Sequence, residues 1–379
     1  MSDLKGIVRA AHALRAEDEE RPLLLATVVN VAGSATRRIG ARMLIAENRW
    51  VSGRVGGDCP GAEVIRKAWW FTRDGSPALL SYVSKGDEMD WGIGLESNGL
   101  VDLLLEPCDV DDPFDPVAFL ESCLVAEKRG AVATILRPSN RRVAVGDRLQ
   151  IGPDGAVRST IGEGQLSEAL ASQARAALES GRSEVFAEGG VEALVEVVIP
   201  PPHLYLFGAG ADALPLATLA GQLGWLVTVC DDAGHPWTAK WFAGADEIRL
   251  GAATELAAGI GRDGRGGFAV VMTQDYDVDR RVLGALLQSH ARHIRVLGSP
   301  RRTQRMLSEL GVSSDHRVHG PASMGAGAGT PADFALAILA ETQALGTGAV
   351  VGLPGDEMGV VHERRANPEI ARIMGQPYG

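Results

Sequence analysis

The stretch that most narrows what this chain can fold into is His203–Asp232, HLYLFGAGADALPLATLAGQLGWLVTVCDD. Leu204–Phe207 is a short apolar run of the kind that forms a buried parallel strand. Gly208, Gly210 and Ala213 follow at the spacing Gly-x-Gly-x-x-Ala. The first glycine permits a tight turn, the second lets backbone approach a diphosphate, and the small third residue lets a helix pack on the strand. A helix is expected over about Ala213–Leu223, closed by Gly224 as its C-cap. Trp225–Cys230 reads as the second strand, and Asp231 stands at its end, twenty-one residues after Gly210. An acid there can receive a pair of ribose hydroxyls. Asp212, inside the turn, suits the positive end of the helix dipole but competes with a phosphate for that position. The turn therefore predicts either a nucleotide-type ligand or a tight βα connection that binds nothing.

A chain of 379 residues predicts two or three domains. The net charge of −11 argues against nucleic acid or an anionic membrane as the main partner. No apolar run approaches the ~20 residues of a membrane-spanning helix. The N-terminus carries acids and reads as an amphipathic helix rather than a signal peptide, so a cytoplasmic location is expected. Cys59, Cys108, Cys123 and Cys230 show no metal-like spacing, which speaks against structural zinc.

Before the central stretch, a helix over about Asp3–Glu17 places Leu4, Ile7, Val8, Ala11 and Leu14 on one face. Leu23–Val31, Arg42–Ala46 and Trp50–Val55 read as strands, with Arg37 and Arg38 clustered near Arg42. Gly56-Gly57-Asp58-Cys59-Pro60 forms a tight loop leading into a helix through Trp70, an arrangement that favours anions and here carries a thiol. Strands are expected at Leu79–Val83, Leu100–Leu105, Ala131–Leu136, Arg142–Val145 and Ala193–Val198, and helices at Pro116–Lys128 and Ser167–Glu179. Pro200, Pro201 and Pro202 can continue neither helix nor sheet and mark a domain boundary. Beyond it the pattern is doubly wound. Strands are expected at Glu247–Arg249, Phe268–Met272 and Ile294–Leu297, and helices at Asp279–Leu287, Arg301–Leu310 and Pro331 to about Ala344. Met324–Thr330 is a second glycine-rich turn, and Gly346–Gly379 a Gly- and Pro-rich tail.

Four segments occurring in this order, GSATRRIGARMLI, the Cys59 loop, LYLFGAGADALPLATLAGQLGWLVTVCDD and GPASMGAGAGTPADFALAILAE, resemble the XdhC/CoxI family of accessory proteins for molybdenum hydroxylases such as xanthine dehydrogenase. The resemblance covers most of the chain. It implies an α/β protein with a mixed α/β N-terminal domain (1–199), a Rossmann-like doubly wound parallel-sheet domain (203–345) and a tail (346–379). It further implies a maturation factor rather than a catalyst, commonly dimeric. Such a protein would bind the molybdenum cofactor, as molybdopterin or its cytosine dinucleotide, and hand it to an apo molybdenum hydroxylase; a cysteine desulfurase is the implied partner for sulfuration.

The cofactor's chemistry assigns candidate residues. Its phosphate needs backbone amides or Arg, for which Arg37, Arg38, Arg42 and Gly57 are placed. Its metal needs a soft donor, for which Cys59 is the candidate. Gly208, Gly210, Ala213 and Asp231 would take a nucleotide. The sequence departs from the family pattern at several polar positions. Asp58 replaces a Gly and Gly61 a Glu around Cys59, Ser97 replaces a Cys, Gln274 stands where a His is usual, and Met324-Gly325 stands for Leu-Asp. Two other readings stay open: an NAD(P)-dependent oxidoreductase using the Gly208 turn, and a divergent nucleotide-binding or interacting paralogue without metal. The other three cysteines are expected to be structural. His290 and His293 are expected at a helix end as dipole partners.

Overall fold

The computed structural model describes residues 4–32, 39–47, 49–55, 62–83, 100–139, 142–162, 164–231, 238–261, 266–320 and 330–347. Up to Val83 the chain runs through α1 (Leu4–Glu17), β1 (Leu23–Ala32), β2 (Arg42–Ala46), β3 (Arg49–Gly53), α2 (Ala62–Phe71) and β4 (Ala78–Val83). The next stretch comprises β5 (Leu100–Cys108), α3 (Pro116–Ala126), β6 (Gly130–Arg137), β7 (Arg148–Ile151), β8 (Val157–Ser159), α4 (Gln165–Ser180), β9 (Glu184–Glu188) and β10 (Val191–Val198). These elements build two antiparallel sheets, ordered β3-β2-β1-β5-β4 and β8-β7-β6-β10-β9.

The two orders are the same order. The N-terminal domain is therefore one unit of helix, three strands, helix and two strands, built twice. The correspondence extends to single residues. Arg42 opens β2 opposite Thr27, and Arg148 opens β7 opposite Thr134. Gly40 and Gly146, both left-handed, precede them by two residues, and each Arg donates to the carbonyl of its own glycine. The two arginines then reach across to the other half. Arg42 pairs with Glu196 of β10 at 2.5 Å, and Arg148 pairs with Glu106 of β5. Around these reciprocal pairs, Val29 and Leu104 of one sheet pack with Leu136 and Leu194 of the other, while α1 packs on α3.

After the prolines come β11 (His203–Phe207), α5 (Ala213–Gln222), β12 (Leu226–Asp231), α6 (Thr238–Trp241), β13 (Glu247–Leu250), α7 (Ala253–Gly259) and β14 (Phe268–Val271). They are followed by α8 (Tyr276–Leu287), β15 (His293–Val296), α9 (Pro300–Glu309), β16 (Val318–His319) and α10 (Pro331–Thr347). The sheet is parallel throughout, ordered β13-β12-β11-β14-β15-β16. The core of one face joins Leu216 and Ala220 of α5 to Ala335, Ile338 and Leu339 of α10. On the other, α7, α8 and α9 cover Phe207, Val271 and Ile294. This is the expected doubly wound domain. It is tied to the first half by Lys5 of α1, which donates to the Trp225 carbonyl at 2.6 Å and to Asp246 at 2.7 Å. A second tie joins buried His203 to Glu127, at the end of α3, at 2.9 Å.

The structure differs from expectation in places. No strand forms over Arg142–Val145; the chain turns there, with Gly146 left-handed, and the strand is Arg148–Ile151. Apolar alternation over four residues was outweighed by the turn that sets Arg148 on Glu106. Strands β8, β9 and β16 and helix α7 were not read from the sequence. His293 is not a helix-end residue; it opens β15 and stacks on His319 with ring centroids 4.0 Å apart. Among the described residues, no helix is long and apolar enough to cross a membrane.

Candidate functional site

Strand order reverses between β11 and β14, and the crevice beyond their carboxyl ends is where doubly wound sheets receive ligands. The two glycines of the β11–α5 turn do different work there. Gly208 has φ +113°, and a Cβ on it would lie 2.8 Å from the Met272 carbonyl oxygen. The fold itself requires glycine at that point, because the chain leaving β14 crosses it. Gly210 is not left-handed, and a Cβ on it would meet nothing within 4 Å. No neighbouring atom demands that glycine; it is exposed and leaves the backbone of the turn open to close approach. Ala213 is fully buried, so its small side chain is what lets α5 lie against the sheet.

Beside this turn lies a crevice of about 450 Å³, bounded by Asp212, Leu216, Met272, Leu297, Gly298 and Phe334 among others. Its volume is that of a small-molecule site and its walls are largely apolar. Asp212 does not cap α5 with its side chain. Its carboxylate instead accepts from Gln274 Nε2 at 2.7 Å, a bond that joins the β11 turn to the β14 turn. Gln274 holds φ +67°, an uncommon conformation for a residue with a Cβ. Asp231 ends β12 in a buried position and accepts from Thr238 Oγ1 at 3.1 Å.

A network that sequence reasoning missed stiffens the far wall. Asp279 is fully buried and accepts from the Thr273 amide at 3.0 Å, the Thr273 hydroxyl at 2.6 Å and Arg302 at 2.8 Å. It thereby fixes the β14–α8 turn to the start of α9. The local signal was Asp275, an N-cap accepting from the Asp277 and Val278 amides, which places α8 one turn earlier than expected.

In the N-terminal domain, Arg37, Arg38, Gly57, Cys59 and Ser97 lie outside the described residues, as does the later turn at Met324-Gly325. Arg42 is described. Its guanidinium is buried against Glu196 and the Gly40 carbonyl, so its charge is matched within the protein and it stands between the two sheets rather than in an open anion site. The strands that flank the other nominated segments share one end of the first sheet. Leu100 lies beside both Ala32 and Val83, and Gly53 beside Met43. The remaining cysteines are structural in character. Burial pushes the Cys123 thiol up to about 11 and Cys230 to about 12, and raises Cys108 well above its ordinary value. Such thiols are poor nucleophiles at neutral pH. Among the described residues, no group of three or more His, Cys, Asp or Glu side chains is arranged to hold a metal ion.

The described Rossmann domain and the duplicated N-terminal domain both have counterparts among known proteins. The model of the XdhC Rossmann domain matches residues 204–342, and that of the XdhC and CoxI family matches residues 16–83 and 123–188. This chain belongs to the XdhC and CoxI family. The two matched segments of the N-terminal model fall one in each half of the duplicated domain. The chain is 27% identical over 332 residues to a probable xanthine dehydrogenase subunit of Bacillus subtilis (strain 168), spanning 86% of this chain and 93% of that protein. It is also 27% identical over 230 residues to the uncharacterized protein YqeB of Escherichia coli (strain K12), spanning 54% of this chain and 41% of YqeB. A crystal structure described as a xanthine dehydrogenase from Bacillus halodurans superposes with a TM-score of 0.69 at 25% identity, covering 92% of this chain and 96% of that one. These likenesses support an XdhC-like role for this chain.

Proposed function

We propose that this XdhC/CoxI member binds the molybdenum cofactor and delivers it to an apo molybdenum hydroxylase of the xanthine dehydrogenase class. The cofactor is cargo here, taken up and passed on. The observation that carries the reading is Gly210: in the turn beside an apolar crevice at the switch point stands an exposed glycine whose backbone is open to close approach. The crevice suits one nucleotide half of a dinucleotide, which favours the cytosine dinucleotide form of the cofactor. In that form the Gly208–Ala213 turn faces the diphosphate and Asp231 the ribose.

The pterin and metal end would go to the N-terminal domain. Cys59 is the soft donor in this reading, and Arg37, Arg38 and Gly57 hold the phosphate. Its support is topological: the strands on either side of those segments run out at the same end of the first sheet. Arg42 is left out of the anion site, since Glu196 already matches its charge. A hydroxylase and a cysteine desulfurase are the partners such a carrier requires.

The test is molybdenum analysis together with oxidised-pterin fluorescence on the full chain, purified from a host that makes the cofactor. Near-stoichiometric molybdenum and pterin are expected, with Cys59→Ala losing most of the molybdenum while keeping its thermal midpoint. Protein that carries neither from a competent host rules the reading out. If such protein instead reduces or oxidises nicotinamide, the site belongs to a dehydrogenase.

A further inference from the structure

The reciprocal pairs of the duplicated domain enclose a space of their own. Between the two sheets lies a cavity of about 30 Å³, lined by both arginines, both glutamates and Gln150 of β7 among others. All the residues around it are buried except Pro116, which is half-buried. β2 and β7 are the same strand of the repeated unit, and Arg42-Met43-Leu44-Ile45 stands against Arg148-Leu149-Gln150-Ile151. The third position alone changes character. Leu44 is fully buried in an apolar cluster, where a leucine needs no partner. Gln150 is only 5% exposed, and its Nε2 is buried without a hydrogen-bond partner among the described residues. An amide in that state has given up water and gained nothing, which is costly. Its neighbour across the ladder, Val132, has no polar side chain to offer. Acceptors line the same cavity, however. Arg148 takes Oε1 of Glu106 and Arg42 takes Oε2 of Glu196, so each carboxylate has a second oxygen able to accept. Neither bonds the amide directly.

We propose that this cavity is an internal water site, in which ordered water accepts from Gln150 Nε2 and donates to the carboxylates of Glu106 and Glu196. Size, polarity and charge each specify water. A volume of about 30 Å³ admits about one or two water molecules and excludes any organic ligand. The amide and the two carboxylates supply the two to four polar partners that a buried water needs. Two guanidiniums and two carboxylates cancel, so a bare ion would lose its hydration there for no net attraction. Water bonded to both Gln150 and Glu106 ties β7 of the second half to β5 of the first, and so adds a neutral link to the two ionic ones. The site is independent of what the protein carries.

The experiment is a crystal structure of the full chain at a resolution that shows ordered solvent, paired with oxygen-17 magnetic relaxation dispersion in solution. Solvent density is expected in the cavity, within hydrogen-bond distance of Gln150 Nε2 and of at least one of the two carboxylates. Gln150→Leu installs the residue that the first half uses at this position. It should remove about one or two long-lived waters from the relaxation amplitude. It should also shift the thermal midpoint by less than about 3 °C, because the water had already satisfied the amide. An empty cavity in the wild-type crystal overturns the proposal, as does an unchanged count of long-lived waters in the variant. A midpoint raised by more than about 3 °C in Gln150→Leu also overturns it, since that gain is the mark of a dry amide whose removal relieves the fold. Should the variant fail to fold, the wild-type density decides alone.

Discussion

Replacing Glu196 tests the interlock of the two halves most directly. Arg42 and Glu196 have side chains only 6% and 9% exposed and meet at 2.5 Å. Glu196→Ala leaves that cation buried with the Gly40 carbonyl as its remaining hydrogen-bond acceptor, in a cavity whose other carboxylate, Glu106, is already paired with Arg148. Breaking a buried pair by removing one partner costs about 3–5 kcal/mol. Replacing both partners by apolar residues of similar size removes the stranded charge, so Arg42→Met with Glu196→Leu should cost about 1.5 kcal/mol or less. The pair joins β2 to β10, so the loss should appear in both sheets. Amide hydrogen exchange of the full chain resolves this by segment: in Glu196→Ala, amides of β1, β2, β6 and β10 should exchange about a hundredfold faster or more, at about 1.4 kcal/mol per decade. Amides of β11 and β14 in the other domain should hold their rates. Glu106→Ala, which strands Arg148, should reproduce the pattern from the other side. Exchange confined to one sheet, or a Glu196→Ala effect below about 0.5 kcal/mol, would refute the view that reciprocal pairs lock the halves into one unit.

Two further outcomes are expected. Gly210→Ala should leave thermal stability unchanged or slightly raised while abolishing nucleotide-type binding, whereas Gly208→Ala should lose about 1–3 kcal/mol to strain and the Met272 contact; equal stability of the two variants in thermal melts would contradict the distinction between them. His293 is pushed down to about 3 by burial first and then by the charges of His319 and Arg295. Its unfolded value is about 6.5, so the unfolded chain binds the extra proton between these limits, and stability is full above about 6.5 and lost as pH falls towards 3. The denaturant midpoint of wild type relative to His293→Phe should fall as pH falls through that window, and parallel profiles would count against the assignment.

Much of the second domain was legible because its determinants are local. The apolar run before Gly208, the Gly-x-Gly-x-x-Ala spacing and the acid at Asp231 act over a few residues each, and strand, turn and helix formed within a residue or two of where they were read. The proline triplet falls between β10 and β11, after the last strand of the antiparallel sheets and before the first of the parallel one. The N-terminal domain was less legible. Short strands such as Val157–Ser159 and Glu184–Glu188 carry exposed, polar residues, so their pairing is imposed by neighbours rather than announced by periodicity.

Charge partnership lay further out of reach. Arg37, Arg38 and Arg42 look alike in sequence, as one cationic cluster; Arg42, the one of the three among the described residues, closes on a carboxylate 154 residues away. The Asp212–Gln274 bond and the Asp279 network join residues from separate turns in the same way. The likeness of the two N-terminal halves also stayed hidden, since it resides in strand order and in a handful of buried positions while the surfaces diverged. Backbone preference and hydrophobic period act along the chain and can be read there. Which charges are desolvated together, and which loops close around one cavity, depends on how the collapsed sheets meet, and is settled only when burial makes every unpaired charge costly.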